Sequence, residues 1–292
     1  MTHVVQHPNP PLRSPGGHLD IHQIPAATDN LVWLAVHRTT GEAFVVDGPA
    51  AQPVLDYCAT HGIQWTTLVN THVHHDHIGI NRDLQDLGRM TDMRVIGAAQ
   101  TAPQIPGLTE PVKEGDDVTL VGLPTTVWLT EGHINGHLSF IVDGVLFCGD
   151  TLFAGGCGYL FDGPPARMHA SLQRLAQLPG ETLVCCAHEY TQDNLRFAYS
   201  VDPDNAELQQ RMAQVWAVRA KGGCTLPSTI DLERRTNPFL RVDTPEIGDH
   251  LPASEQASTS AERFAALRAL KDSKAYRAVP DSALPVPDPV TP

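Results

Sequence analysis

Residues 70–79 read NTHVHHDHIG, so four histidines and one aspartate fall within the six positions from His72 to His77. Neutral imidazole and carboxylate are the usual ligands of zinc, iron and manganese. One histidine in such a place would be read as part of a solvated polar turn. The spacing H-x-H-H-D-H asks for more. In an extended segment residues two apart point the same way, which turns His72 and His74 toward one ion. His75 points elsewhere. Where the chain then bends into a helix, Asp76 and His77 face a second position. The short β-branched run WTTLVN (65–70) delivers the cluster at the C-terminal end of a strand, where α/β proteins place their ligand sites.

Two ions need more ligands than this cluster holds. TEGHINGH presents His133 in a glycine-flanked loop, LFCGDTLFAGGCG presents Asp150 at a strand end, and VCCAHEYT presents His188 at another. Singly these read as a loop histidine, a helix N-cap and a strand-end histidine. Together they bring the candidate set to seven residues, His72, His74, Asp76, His77, His133, Asp150 and His188, all at strand ends or loops.

The elements that must position them are legible in the apolar periodicity. HLDIHQI (18–24), NLVWLAVH (30–37), EAFVVDG (42–48), WTTLVN and MRVIGA (93–98) read as strands, with helices over AAQPVLDYCATHG, ending at Gly62, and over IGINRDLQDLG (78–88). Four closely spaced strands follow between residues 116 and 150, then an amphipathic helix (167–180), the strand ETLVCCAH (181–188) and a helix over 191–200. Beyond residue 200 strand signals stop. Helical patterns remain at 205–223, within 227–239 and at 260–277. The sequence therefore predicts a loose leader (1–17), a β-rich α/β domain (18–200), a small helical domain (201–278) and a disordered Pro-rich tail (279–292).

Composition narrows the classes of function. The net charge is −13, from 33 acidic and 20 basic residues, which argues against a general nucleic-acid or membrane-surface binder. No apolar run approaches the roughly 18 residues of a membrane span, and the N-terminus lacks the pattern of a signal peptide. The expectation is a cytoplasmic monomer. None of the six cysteines forms a C-x-x-C pair, so reduced, buried thiols are expected. No G-x-S-x-G supports a serine nucleophile.

THVHHDH, the GH of EGH, GDTLFAGGCG and HEYT resemble the metallo-β-lactamase superfamily. GDTLFAGGCG, HEYTQDNLRFA and PSTIDLERRTNPFLR more narrowly resemble glyoxalase II, the hydroxyacylglutathione hydrolases, over about residues 18–272. The resemblance implies an αββα sandwich followed by a helical substrate-binding domain. It implies that His72, His74 and His133 hold one divalent ion, that Asp76, His77 and His188 hold another, and that Asp150 bridges them; zinc is the first expectation, iron and manganese the alternatives. It implies hydrolysis of S-(2-hydroxyacyl)glutathione, such as S-D-lactoylglutathione, in methylglyoxal detoxification. A hydroxide shared by two ions, oriented by Asp76, would attack the thioester carbonyl. Tyr190, Arg268 and Lys271 match glutathione-binding positions, although Arg268 and Lys271 without that match would be read as a charged, solvated helix face. Asn194 is a neighbouring polar candidate. His75 and His137 match no ligand position. Tyr159 stands at a substrate-facing position where the family carries Lys or Arg, Phe161 stands where Tyr is common, and Ile80 and Ala187 replace glycines. These departures predict weaker glutathione binding, or another acyl-thioester, with the hydrolytic centre intact. Two competing readings are a mononuclear iron dioxygenase acting on glutathione persulfide, and a non-catalytic metal- or partner-binding protein. The intact Asp76, His77 and His188 set argues against the first.

Overall fold

The computed structural model describes residues 2–251 and 259–286. Its first sheet has seven strands in sequential order: β1 (Leu12–Arg13), β2 (Leu19–Ala26), β3 (Asn30–His37), β4 (Ala43–Val46), β5 (Thr67–Val69), β6 (Arg94–Ala98) and β7 (Glu110–Val112). The first four pair antiparallel through short turns. From β4 onward the pairing is parallel: α1 (Gln52–His61) and α2 (His75–Asp86) supply the crossovers to β5 and β6, and a short 3-10 segment, Ala99–Gln104, lies in the one to β7. β3 and β4 carry near-continuous apolar runs since both their faces are covered. On the outer face, Val54 and Cys58 of α1 and Ile80 and Leu84 of α2 pack with Leu34, Val45, Leu68 and Val95.

The second sheet runs from β8 (Val118–Leu120) through β9 (Leu123–Leu129), β10 (Leu138–Val142) and β11 (Val145–Gly149). It continues into β14 (Leu183–Cys186) and β15 (Ser228–Thr229), after a minor hairpin, β12 (Leu152–Phe153) with β13 (Gly156–Cys157), and helix α3 (Pro165–Leu175). Trp33, Phe44, Phe140 and Phe147 fill the space between the sheets, with Phe44 edge-on to Phe147 at 5.7 Å. Helices α4 (Thr191–Val201), α5 (Ala206–Arg219), α6 (Ile230–Thr236), α7 (Pro245–His250) and α8 (Ser260–Ser273) complete the chain's C-terminal part. The architecture is the expected αββα sandwich with a helical addition. All six cysteines are free and buried. Among the described residues no helix is long and apolar enough to cross a membrane.

One buried polar network ties α5 and α6 to the β12–β13 hairpin. Glu233 is fully buried and accepts from Arg211, from the Ser228 hydroxyl, from the Gly155 amide at 2.8 Å and from Asn237 Nδ2 at 2.9 Å. Asn237 Nδ2 also donates to Phe153 O and Gly156 O. The polar letters of PSTIDLERRTNPF are therefore the fixture of the hairpin that follows Asp150.

Several expectations need correction. The leader is ordered in the structure: Val5 is 3% exposed within the main core, and β1 extends the first sheet. It is held because backbone and side-chain groups of residues 3–14 find partners across the chain, among them Asn9 Nδ2 to Leu226 O and Ser14 N to Leu19 O. Residues 279–286 also pack. Leu284 is buried with Leu195 and Met212, and Asp281 pairs with Arg196 and accepts from Trp216 Nε1. The rest of that tail, 287–292, lies outside the described residues. Strand structure does not stop at residue 200, since β15 adds to the second sheet. α2 starts at His75, three residues earlier than its apolar pattern, with His74 as N-cap.

Candidate metal centre

All seven candidate ligands converge at one end of the sandwich. His72 Nε2 and His133 Nε2 lie 3.1 and 3.0 Å from His74 Nδ1, and Asp150 Oδ2 lies 3.5 Å from His133 Nε2. Beside them Asp76 Oδ2 is 3.6 Å from His77 Nε2 and 3.4 Å from His188 Nε2. Asp150 Oδ1 is 3.5 Å from both of those imidazole nitrogens. Asp150 thus offers one oxygen to each group. The extended His72–His74 segment and the first turn of α2 supply four side chains, the β9–β10 loop supplies His133, and the ends of β11 and β14 supply Asp150 and His188.

What the nitrogens of these rings face decides what the cavity can hold. His133 Nδ1 lies 2.6 Å from the Tyr159 carbonyl, which can only accept, so it carries the proton and Nε2 presents a lone pair. His188 Nδ1 donates to Asp29 at 2.8 Å and His77 Nδ1 to Asp47 at 3.0 Å, which leaves Nε2 of each ring facing the cavity, where it carries a proton until a metal ion displaces it. The Thr71 hydroxyl donates to Asp47 at 2.7 Å, so its oxygen accepts from His72 Nδ1 at 3.0 Å. Four imidazole Nε2 atoms and two carboxylates therefore point into one space. The two carboxylates repel each other unless positive charge, as protons on His77 and His188 or as metal ions, lies beside them. His77 Nε2 and Asp150 Oδ1 are buried with no hydrogen-bond partner, a costly condition that a divalent ion relieves. Fixing the outer nitrogen of each ligating histidine is how proteins set tautomer and ring orientation at a metal.

The electrostatics agree. Burial and the neighbouring histidines push His72 well below its ordinary value, and burial lowers His74 and His133. Burial also opposes charge on His188 and His77, but the surrounding carboxylates outweigh it, raising His188 to about 9 and His77 well above its usual range. Asp76 and Asp150 are held far below the ordinary carboxylate range despite burial, through His188 and His77. The pocket favours positive charge between these carboxylates.

Close packing backs the ligands. At Gly149, where φ is +45°, a Cβ would lie 2.3 Å from Thr71 Oγ1, and at Gly158 it would lie 1.9 Å from the Asp150 carbonyl. His137 is fully buried, stacks on His72 at 4.7 Å and accepts from the Asp150 amide at 3.2 Å. It supports the site from behind and is no surface residue. His75 is solvent-exposed. Sequence reasoning missed Asp29, Asn30 (Nδ2 to Asp76 Oδ2, 3.1 Å), Thr71 and Asp47. Asp47 ends its strand in VVDG as Asp150 ends its strand in FCGD, which was a usable signal. Asp47 lies near His72 and His77, but its oxygens are taken by Thr71 and by the outer nitrogen of His77, so it orients ligands.

Aromatic side chains rim the opening. Tyr190 stacks on His188 at 4.7 Å, and Phe161 meets His74 and His133 edge-on at 5.0 and 5.2 Å. Tyr159 packs on Phe161, and all three are exposed. Arg268 and Lys271 are buried on α8. Arg268 donates to Asp272 and, at 3.2 Å, to the Cys157 carbonyl two residues before Tyr159. Lys271 Nζ lies 3.6 Å from Asp193 and 3.5 Å from Tyr276 OH. Asn194 donates to the Ala154 carbonyl at 3.1 Å, bracing the hairpin.

The fold and this ligand arrangement define a protein of the metallo-beta-lactamase superfamily, whose family model matches residues 32–188. A second model, hydroxyacylglutathione hydrolase C-terminus, matches residues 189–274. Hydroxyacylglutathione hydrolases of Synechocystis sp. (strain ATCC 27184 / PCC 6803 / Kazusa) and Synechococcus sp. (strain JA-2-3B'a(2-13)) are 43% and 48% identical. The alignments cover 87% and 86% of this chain and 99% and 98% of those proteins. The chain belongs to the hydroxyacylglutathione hydrolase family. Among solved structures, ETHE1 from Myxococcus xanthus shares the fold at 22% identity with a TM-score of 0.56, covering 90% of this chain and 93% of that one. TTHA1623, solved in a di-iron-bound form, is 25% identical with a TM-score of 0.50, covering 74% of this chain and 99% of that one.

Proposed function

We propose that this chain hydrolyses the thioester of S-(2-hydroxyacyl)glutathione, releasing glutathione and a 2-hydroxy acid. The observation that carries this is the pair of adjoining ligand sets sharing Asp150, in a chain whose near-full-length relatives bear that enzyme's name. His72, His74, His133 and Asp150 Oδ2 would hold one divalent ion, and Asp76, His77, His188 and Asp150 Oδ1 the other. Hard carboxylates among borderline imidazoles suit zinc, iron or manganese. Zinc is the first choice, with the di-iron form of TTHA1623 supporting iron as an alternative. Such ions, when bound, polarise a carbonyl and lower the pKa of water toward neutrality.

The protein's own residues do the rest. Asp76 is partly exposed at the opening, and its carboxylate accepts a hydrogen bond from the attacking water and orients it; held far below the ordinary carboxylate range, it does not keep the proton, which passes to bulk water. The new carbon–oxygen bond displaces the carbon–sulfur bond, and the thiolate leaves without a strong general acid because a thiol pKa is roughly 8.5. Tyr190, held flat on His188 with its hydroxyl beside Asp29, lines one side of the substrate opening, and Tyr159 and Phe161 cover the other side. Arg268 and Lys271 form the cationic side of the glutathione site. In this division residues 18–200 perform the chemistry and carry the aromatic rim, and 201–278 add the cationic part of the substrate site. All seven ligands come from one chain, so a monomer suffices, and six reduced thiols suit the cytoplasm.

The test follows thiol release from S-D-lactoylglutathione by zinc-, iron- and manganese-loaded protein, alongside oxygen uptake with glutathione persulfide. Turnover of the thioester that disappears in His74→Ala supports the reading. Oxygen uptake without thiol release would replace it with the dioxygenase.

A further inference from the structure

Residues 3–9 lie outside the family models, which begin at residue 32, yet they touch the backbone that steers two of the candidate ligands. The β2–β3 turn carries Asp29 and leads into Asn30, the first residue of β3. Asp29 Oδ1 accepts from His188 Nδ1 at 2.8 Å, and Asn30 Nδ2 donates to Asp76 Oδ2 at 3.1 Å. Ala27, at its start, sits at φ +53°, which costs a residue with a Cβ and needs support from its surroundings.

The leader grips this turn at two points. Val4 N donates to Thr28 O at 2.8 Å, and His3 Nε2 lies 2.9 Å from Asn30 O. Val5 N donates to His3 Nδ1 at 2.8 Å, so the His3 proton is on Nε2 and that nitrogen donates to Asn30. The leader is itself anchored. Val5 is buried in the main core, Arg219 at the end of α5 donates to Val4 O at 2.6 Å, and Gln6 and His7 donate their amides to Gly222 O. The path runs from the C-terminal helices through residues 3–7 and the β2–β3 turn to Asp76 and His188. His72 and His133 are steered by other groups, Thr71 and Tyr159.

We propose that residues 3–9 are a strap that positions the Asp76–His188 half of the centre, with His3 as the positioning residue that fixes Asn30. The proposal rests on reading Asp76 and His188 as ligands. It predicts an asymmetric effect: loosening the strap weakens one ion and spares the other.

The test uses the full chain loaded with zinc and compares wild type, His3→Ala and His3→Gln. Stepwise zinc affinities are measured against a chelating dye, and visible spectra are recorded for the cobalt-substituted proteins. Losing a direct hydrogen-bond partner of a ligand typically costs 10–100-fold in metal affinity, and His3 acts one residue further out, so His3→Ala should weaken only the second zinc by about 3–10-fold. The cobalt band of that position should shift with it. The glutamine amide can donate to Asn30 O, and His3→Gln should recover most of the loss. Zinc affinities and spectra in His3→Ala equal to wild type would overturn the proposal even if thermal stability fell, and so would equal weakening of both ions. A wild-type chain that binds one zinc, or a His188→Ala variant that still binds two, would instead remove the ligand assignment beneath it.

Discussion

Replacing Asp47 by Asn preserves the side chain's shape, and Asn accepts the left-handed backbone at φ +55° as readily as Asp does. What changes is the proton inventory. Asp47 Oδ1 accepts the Thr71 amide at 2.8 Å, and Oδ2 accepts both the Thr71 hydroxyl at 2.7 Å and His77 Nδ1 at 3.0 Å. An amide has one acceptor end. If its oxygen stays on the Thr71 amide, its NH2 faces His77 Nδ1 and drives the histidine proton to Nε2, the atom that faces Asp76 and Asp150. If it turns over, two donors clash at Thr71, whose hydroxyl in turn sets the His72 tautomer. Either way a ligand loses its lone pair or its orientation. A loss of this kind costs about 10–100-fold in metal affinity, or about 1.4–2.8 kcal/mol. We expect Asp47→Asn to lose mainly the His77-side ion in a zinc competition titration. Hydrolysis should fall in step with occupancy and recover in part at excess zinc. Two zinc ions bound at wild-type affinity in Asp47→Asn would refute the tautomer reasoning.

Three further outcomes follow from other parts of the structure. Burial, opposed by Asp193, lowers Lys271 to about 8. It is thus charged below that pH and neutral above it, so KM for a glutathione thioester should rise as pH climbs through about 8, while Lys271→Arg should stay flat to roughly pH 10. Tyr159→Lys places a cation at a position that is 53% exposed. Steady-state kinetics should show KM reduced about twofold to fivefold, the worth of an exposed ion pair, with kcat little changed. Glu233→Ala leaves Arg211 buried without its carboxylate and frees the Gly155 amide. Denaturant unfolding should report a loss of about 3–5 kcal/mol.

The seven candidate ligands are legible in the sequence because metal chemistry admits few residue types and strand ends recur as their positions. The strands were legible because NLVWLAVH and LVCC are nearly pure β-branched and apolar runs. Residues that act across distance were not. Asp29 meets His188 from 159 positions away and Asp47 meets His77 from 30 away, and no local period encodes such contacts. The leader reads as loose in the sequence because its prolines, histidines and glycines lack a period. Its order comes from single hydrogen bonds to Thr28, Asn30, Gly222 and Leu226, supplied by the finished fold. The start of α2 precedes its apolar pattern for a related reason: HDH at its first turn is polar, and the turn closes through the His74 carbonyl, which accepts from the His77 and Ile78 amides at 3.0 and 3.1 Å.

The central claim is that two ions, sharing Asp150, make one hydrolytic centre. Metal-free protein titrated with zinc, with thiol release from S-D-lactoylglutathione followed at each step, tests it most directly. Activity should rise to a plateau at two equivalents of zinc per chain and be abolished in Asp150→Ala. A plateau at one equivalent, or full activity without Asp150, would contradict it.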